Sequence, residues 1–278
     1  MVGTRLIITA LDLELAYVAA SEFCGNASSV IGCDAEAGIE KGLPAATTPD
    51  GRPGVSVLAF AFNRKSLEKA VSARVGQNVL TCPTTACYSG LSGSDDTIKV
   101  GAQLRYFGDG YQIAKKLDSR RFWRVPVMDG EFVCEDVFAT RKGIGGGNLL
   151  ICGDSQASAL QAVRAAVKAI NDLDDVILPF PAGIVRSGSK VGSRYPQLPA
   201  STNDKWCPSL TAQSDTALQA GERAVYEIVI DGFGDDAVRR AMKVGLETAL
   251  QMPGVRRISA GNYGGKLGPH HFHLQQLS

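Results

Sequence analysis

The chain has 278 residues, of which 45% are hydrophobic and 21% charged, the composition of an ordinary globular protein. A net charge of +1 does not indicate a nucleic-acid surface, which requires a clear basic excess. No apolar run reaches the ~18 residues that a membrane helix needs. Because Asp12 and Glu14 interrupt the N-terminal apolar stretch, no signal sequence is indicated, and we expect a cytoplasmic protein without a membrane partner.

An internal repeat begins near the N-terminus. Residues 5–38 and 148–183 each predict a short apolar strand, a helix and a second short strand that ends in Ala-Gly. In the second copy Ser155 is placed as the N-cap of the helix. Apolar residues follow at helical spacing and predict the buried stripe of that helix: Leu160, Val163, Val167 and Ile170.

The repeat continues with a second strand-helix pair in each copy. Residues 54–83 and 224–253 each predict a strand, a polar turn and a helix that carries Val-Gly at the same offset. The predicted core stripes are Leu67, Val71, Val75 and Val79 in one helix, and Val238, Met242, Gly245 and Ala249 in the other. This order predicts an α+β fold of two ferredoxin-like, split βαβ lobes related by the repeat.

A strand-rich segment lies between the two copies. Residues 98–147 alternate like a β-meander, with turns at Gly-Asp-Gly and Asp-Gly. We therefore expect residues 1–147 to form the N-terminal lobe with a β-rich connecting segment, and residues 148–278 to form the C-terminal lobe. Sheet faces without helices are expected to be buried by another lobe or another subunit.

Each copy has an insert after its second strand, at residues 36–54 and 181–208. The second insert holds about twenty residues without apolar periodicity, and such segments are usually functional or disordered. Disorder is disfavoured because the segment has potential anchors, namely Tyr195, Leu198, Trp206 and Cys207. Two inserts at equivalent ends of similar lobes can face one cleft.

Glu227 is the candidate for acid–base chemistry. It lies in the segment VYEIVI, with Val225 and Val229 on the same face of the predicted strand. Apolar neighbours would raise the pKa of this carboxyl, and a neutral carboxyl can donate a hydrogen bond or exchange protons with an amine. The alternatives are an edge-strand Glu that faces water and one end of a buried ion pair, and the residues alone favour these alternatives.

The inserts carry candidate substrate-binding residues. Small hydroxyls, amides and a cation suit a ligand with carboxylates or phosphates. In the second insert these are Ser187, Ser189, Lys190, Ser201, Thr202, Asn203 and Asp204, and in the first they are Asp50 and Arg52 of TPDGRPG. The alternative is turn chemistry, because Ser, Asn and Asp commonly bond to their own backbone.

Other familiar motifs are absent or incomplete. The glycine run at residues 143–148 lacks the dinucleotide spacing and precedes its strand. His271 and His273 could ligate a metal, but no Cys or His partner has suitable spacing, so no metal site is predicted. The seven cysteines are odd in number and scattered, which favours free thiols in the core over disulfides or a zinc site.

Ordered segments along nearly the whole chain, from about Thr4, carry a family resemblance. They are EAGIE, TPDGRPG, VGQNVLTCPTTA, YFGDGYQ, PVMDGEF, GGN, PFPAGIVRSGSKVGS, ASTND, YEIVI and ISAGNYGGKLG. The chain resembles the formylmethanofuran–tetrahydromethanopterin formyltransferases. The segment RRFWRVPVMDGEFVCE and the near-neutral charge look like the enzyme of methylotrophic bacteria, where the family member belongs to a formyltransferase/hydrolase complex.

The resemblance implies an acyltransferase without a metal or prosthetic group, for which methanofuran and tetrahydromethanopterin are substrates. It implies formyl transfer to or from N5 of the pterin through a ternary complex. It also implies a homo-oligomer, typically a tetramer, with possible hydrolase-complex partners. The family's acidic residue falls at Glu227, and Asn262 of ISAGNYGGKLG joins the predicted substrate-binding residues. The alternative is a non-catalytic subunit that binds pterin or furan and docks the hydrolase partners, and a transfer assay separates the two.

Overall fold

The computed structural model describes residues 1–93, 96–261 and 270–277. The fold is mixed α and β, and the chain divides into two compact units, Met1–Gly143 and Ile144–Ser278. Among the described residues, no helix has the length and apolar character required to cross a membrane.

The first unit begins with two strand-helix pairs. Its elements are β1 (Val2–Thr9), α1 (Leu13–Cys24), β2 (Glu36–Leu43), β3 (Gly54–Ala61), α2 (Arg64–Arg74) and β4 (Ala86–Ser89). Both helices have a side-chain N-cap, because Asp12 accepts from the Leu15 N–H at 2.8 Å and Asn63 accepts from the Ser66 N–H at 2.9 Å. The four strands lie in the order β2-β3-β1-β4.

The middle of the chain extends the sheet of the first unit. It contains β5 (Thr97–Ile98), α3 (Gly101–Leu104), β6 (Ile113–Leu117), β7 (Arg120–Val127), β8 (Gly130–Glu135), β9 (Phe138–Ala139) and β10 (Arg141–Lys142). Strands β6, β7 and β8 form the predicted antiparallel meander, and β8 pairs with β4 in parallel.

The second unit has strands in a corresponding order. Its elements are β11 (Ile144–Gly153), α4 (Gln156–Ile170), β12 (Val176–Ile177), β13 (Lys190–Val191), β14 (Ala200–Ser201), β15 (Ala224–Gly232), α5 (Asp235–Leu250) and β16 (Val255–Ser259). The main sheet has the order β12-β15-β11-β16, while β13 and β14 form a separate hairpin. Ser155 is the predicted N-cap of α4 and forms a capping box with Ser158.

The apolar stripes predicted for the helical segments of residues 54–83 and 224–253 lie in the cores of the two units. Leu67, Val71, Val75 and Val79 are fully buried in the first unit. In the second unit Val238, Met242 and Ala249 are buried. Gly245 is required by close packing, because a Cβ there would lie 2.8 Å from Ile170 Cδ1 and 2.9 Å from Leu149 Cδ1.

Alternation along β11 and β15 gives the sheet of the second unit two different faces. Leu149 and Ile228 pack into the core with α4 and α5. Their neighbours in sequence, Leu150 and Glu227, point to the opposite face and are also buried. The residues of β15 that follow its first three are therefore buried on both faces, and this opposite face holds the candidate acid.

Candidate active site

Glu227 lies in an interior strand. β15 is placed between β12 and β11, and Glu227 is directly opposite Leu150 of β11. On its other side the backbone of Glu227 exchanges two hydrogen bonds with Val185, at 2.7 and 3.1 Å. The residue is only 1% exposed. The alternative of an edge-strand Glu facing water is therefore wrong.

Two neutral side chains contact the Glu227 carboxyl. Ser189 Oγ donates to Oε1 at 2.7 Å, and Asn148 Nδ2 donates to the same oxygen at 2.9 Å. The other oxygen, Oε2, is buried and has no hydrogen-bond partner among the described residues. Because both partners are neutral, Glu227 is not part of a buried ion pair with any residue that the structure describes.

Burial controls the protonation of Glu227. Loss of solvation raises the pKa of the carboxyl, and the hydrogen bonds from Ser189 and Asn148 only partly oppose this rise. The net shift is upward from the ordinary value for Glu. The neutral acid therefore persists to a higher pH than for an exposed Glu, and in that form it can donate a hydrogen bond or a proton.

The second insert is an ordered loop that brings Ser189 to Glu227. Its β13–β14 hairpin pairs Lys190 with Ser201. The two arms pack closely at Gly188, which has a φ of 76° and where a Cβ would lie 2.4 Å from the Cβ of Asn203. Glycine suits this position because it adopts a positive φ readily and has no Cβ to clash with Asn203. Gly188 therefore allows the chain that carries Ser189 to pack closely against Asn203.

The expected anchors of this loop are partly wrong. Tyr195 and Leu198 are 64% and 48% exposed, because they lie at the outer end of the hairpin. Trp206 and Cys207 are half-buried, and the guanidinium of Arg257 lies 5.1 Å from the Trp206 ring centroid. Asn203 is a buried anchor of the loop, and its backbone N–H donates to the Ser187 carbonyl at 3.3 Å.

Most of the predicted substrate-binding side chains in the loop bond within the loop itself. Lys190 Nζ pairs with Asp204 Oδ1 at 2.5 Å, and its hydrogen bond lowers the pKa of Asp204. Ser187 and Ser201 donate to the carbonyls of Gly188 and Gly192. The Thr202 hydroxyl lies 3.4 Å from Cys207 Sγ. The turn-chemistry alternative thus describes these bonds, whereas Ser189 alone of the set reaches Glu227.

Asp50 and Arg52 form a hydrogen-bonded cluster within the first unit. Asp50 Oδ2 accepts from Arg52 Nε at 2.8 Å, from Thr9 Oγ1 at 2.7 Å and from the Tyr88 hydroxyl at 3.1 Å. Arg52 also donates to the Thr84 carbonyl. Burial raises the pKa of Asp50, but the hydrogen bonds from Thr9 and Arg52 outweigh it and leave the pKa lowered. This carboxylate therefore keeps its charge to a lower pH than an exposed Asp, whereas the pKa of Glu227 is shifted upward.

Two features near the C-terminus were considered from the sequence: Asn262 as a substrate-binding residue and the histidines as metal ligands. Asn262 lies outside the described residues. His270 Nδ1 lies 3.8 Å from Asp235 Oδ1. Within residues 1–93, 96–261 and 270–277, no group of three or more His, Cys, Asp or Glu side chains is arranged to hold a metal ion.

Asn148 is the site residue that sequence reasoning missed. It lies on β11, is 5% exposed, and its Oδ1 accepts from the Gly261 N–H at 2.8 Å. One signal was present, since Asn148 is a polar residue next to the apolar run Leu149–Ile151. Its contact with Glu227 spans 79 residues of sequence and depends on strand register, which the sequence alone does not supply.

Comparison with known proteins gives a consistent result along the chain. Residues 1–127 match the family model for formylmethanofuran-tetrahydromethanopterin formyltransferase, and residues 130–277 match the model for the proximal lobe of the same family. A formylmethanofuran–tetrahydromethanopterin formyltransferase of Methylococcus capsulatus is 52% identical over 280 residues, which cover 100% of this chain and 94% of the relative.

Two solved structures are also similar. The formyltransferase from Methanosarcina barkeri superposes with a TM-score of 0.93 at 46% identity, covering 100% of this chain and 94% of that one. A chain of the formyltransferase/hydrolase complex from Methylorubrum extorquens, solved with methylofuran, gives a TM-score of 0.95 at 47% identity. The matched residues cover 99% of this chain and 92% of the chain from the complex.

Proposed function

Because the chain belongs to the formylmethanofuran–tetrahydromethanopterin formyltransferase family, we propose that it transfers a formyl group between formylmethanofuran, or a bacterial analogue, and N5 of tetrahydromethanopterin. It is then an acyltransferase, and both carriers are substrates. The single observation that carries the mechanism is the buried Glu227 carboxyl, which has a raised pKa and one oxygen without a partner among the described residues.

The chemistry of an amide explains why such a carboxyl is useful. In the transfer to the pterin, N5 attacks the formyl carbon, a tetrahedral oxyanion develops, and the bond from carbon to the furan amine then breaks. The proton lost by N5 leaves with that amine. A preorganised donor to the oxyanion contributes about 3–4 kcal/mol to the lowering of the barrier. Protonated Glu227 can supply that hydrogen bond or pass the proton to the leaving amine.

The ternary complex contributes through alignment. Neither carrier is bonded covalently to the protein in this scheme, so the rate depends on holding N5 close to the formyl carbon. We assign the binding of the carriers to the polar residues of the inserts, namely Asp50, Arg52, Ser187, Ser189, Lys190, Ser201, Thr202, Asn203 and Asp204, and to Asn262. The Lys190–Asp204 pair supports this assignment, because an anionic carrier can replace Asp204 as the partner of Lys190.

Glu227→Gln tests the acid role. The amide keeps the shape of the side chain but cannot exchange a proton at neutral pH, so we expect turnover to fall by about 100-fold or more. The measurement is formyl transfer with both carriers, followed by ultraviolet absorbance across a range of pH. Glu247→Gln on the exposed surface of α5 is the control and should leave turnover unchanged.

Near wild-type turnover of Glu227→Gln with an unchanged pH profile would exclude Glu227 from proton transfer. Absence of transfer by the wild-type chain, tested alone and with hydrolase-complex subunits, would instead favour the binding-subunit alternative.

We further propose that the two units are copies of one ferredoxin-like, split βαβ lobe, with the boundary near residues 143–147. Support comes from the strand orders β2-β3-β1-β4 and β12-β15-β11-β16, in which the second, third, first and fourth strands of each unit are neighbours. We also propose a homo-oligomer, specifically a tetramer, that can join hydrolase-complex subunits. The mass in solution, alone and with those subunits, tests both assemblies.

A further inference from the structure

The two oxygens of the Glu227 carboxyl have different surroundings. Oε1 receives the Ser189 hydroxyl at 2.7 Å and the Asn148 amide at 2.9 Å. Oε2 receives no hydrogen bond from the described residues, although the side chain is almost wholly buried. The asymmetry matters because a neutral carboxyl carries its proton on only one of its two oxygens.

The orientation of the Asn148 amide follows from its other contact. The Gly261 backbone N–H lies 2.8 Å from Oδ1 and can only donate, so the amide oxygen must face Gly261. The amide nitrogen then faces Glu227 and can only donate to Oε1. Two donors at Oε1 favour the carbonyl form of that oxygen, because a carbonyl oxygen accepts hydrogen bonds better than a protonated one.

We propose that Asn148 is a positioning residue which, together with Ser189, holds Oε1 as an acceptor and so keeps the proton of Glu227 on Oε2, directed at the reacting formyl group. The inference rests on the acid role proposed for Glu227 and specifies which of its oxygens acts. Through Asn148, the backbone of Gly261, two residues after the end of β16, also helps to hold the carboxyl in place.

Loss of Asn148 should have two effects that a purely structural residue would not combine. Its hydrogen bond favours the ionised carboxyl and lowers the pKa of Glu227, so Asn148→Leu should raise that pKa further. Because an acid works while protonated, the alkaline limb of the rate profile should move to higher pH. The maximal rate should nevertheless fall, since the proton is no longer held on Oε2.

The experiment compares Asn148→Leu and Ser189→Ala with wild type. Transfer rates across pH give the first readout. We expect the maximal rate of each variant to be about tenfold below that of wild type and the alkaline limb to lie at higher pH. Infrared difference spectroscopy gives the second, because the carboxylic C=O band that Glu227→Gln removes titrates with Glu227 independently of turnover. Ser193→Ala is the matched control, since its hydroxyl is in the same loop and accepts the Tyr195 N–H at 3.0 Å.

The outcomes separate the two proposals. A lower rate with the infrared midpoint and the alkaline limb unmoved would show only a structural role for Asn148 and overturn the inference. A wild-type rate in both variants would overturn it as well. If Asn148→Leu does not fold, judged by circular dichroism, Ser189→Ala decides by the same criteria. If Glu227→Gln is fully active, the acid role fails, while an infrared midpoint moved by both variants would still show that these residues set the protonation of Glu227.

Discussion

At the scale of single residues, the surrounding hydrogen-bond donors shift the pKa values of two carboxyl groups in opposite directions. Asp50 accepts hydrogen bonds from an Arg, a Thr and a Tyr, and its pKa is lowered. Glu227 has two neutral side-chain donors on one oxygen and a backbone hydrogen bond from Ser189, and its pKa is raised. Desolvation raises the pKa of both groups. At Asp50 the hydrogen bonds from Thr9 and Arg52 outweigh this effect, whereas at Glu227 the hydrogen bonds from Ser189 and Asn148 do not.

This difference predicts how stability depends on pH. Because the pKa of Glu227 is raised in the folded state, its contribution to stability is fully present below the pKa of an unfolded Glu, about 4.3, and is lost as pH rises through the folded pKa. Glu227→Gln does not titrate. Its free energy of unfolding relative to wild type should therefore rise with pH across that window, with a slope of at most about 1.4 kcal/mol per pH unit, the limit for one proton.

Urea unfolding from acid to neutral pH, followed by circular dichroism, measures this difference. A difference that stays flat with pH would contradict the raised pKa, and Glu247→Gln again provides the surface control.

At the scale of elements, β1 and β3 of the first unit and β11 and β15 of the second unit each contribute side chains to a buried polar cluster. Ser56 of β3 is opposite Ile7, and Glu227 of β15 is opposite Leu150. In the first unit the carboxylate comes from Glu40 of β2, which accepts from Ser56 Oγ at 2.6 Å and from Arg5 Nη2 at 2.6 Å. In each unit a Ser hydroxyl thus donates to a buried carboxyl, and a second donor to the same carboxyl comes from Arg5 of β1 or from Asn148 of β11.

Arg5→Met tests the charged cluster of the first unit. Removing the guanidinium leaves the Glu40 carboxylate, whose side chain is 1% exposed, without this cation, so we expect a loss of about 3–5 kcal/mol in the free energy of unfolding. Arg64→Met is the matched control, because Arg64 pairs with Asp96 on the surface and such pairs contribute about 0–1 kcal/mol. Equal losses in the two variants, measured by urea unfolding, would contradict this account.

At the scale of the whole molecule, the thiols report on both units. All seven cysteines are free; Cys87 and Cys134 are buried in the first unit and Cys152 in the second. Burial raises the pKa of Cys152 and of the half-buried Cys24 to about 12, which further reduces their thiolate content. These thiols are core fillers, as their apolar sequence contexts predicted.

Titration with a thiol reagent checks this arrangement. In the native protein, Cys87, Cys134 and Cys152 should react only at the rate of unfolding, and all seven thiols should react in urea. Rapid native reaction of all seven would show that the cores are more open than described. Cys33→Ser, at a half-buried position, should leave the number of slowly reacting thiols unchanged.

The elements and their buried faces could largely be predicted from the sequence. Ser155 caps α4, and the stripe from Leu67 to Val79 is buried, because capping and helical periodicity depend on residues close together in the chain. The alternation in VYEIVI placed Glu227 among apolar neighbours for the same reason. The expectation for Tyr195 and Leu198 failed, because an apolar residue in a loop is buried only if the fold supplies a surface to cover it.

The sequence by itself therefore determined the mixed α and β character, the helical cores, the family resemblance and the choice of Glu227. Only the tertiary structure decided that Glu227 lies in an interior strand and that Asn148 and Ser189 both donate to Oε1. The reason is physical: periodicity and capping are local, whereas the partners of a buried carboxyl are fixed by strand register and loop packing between residues 38 and 79 positions apart.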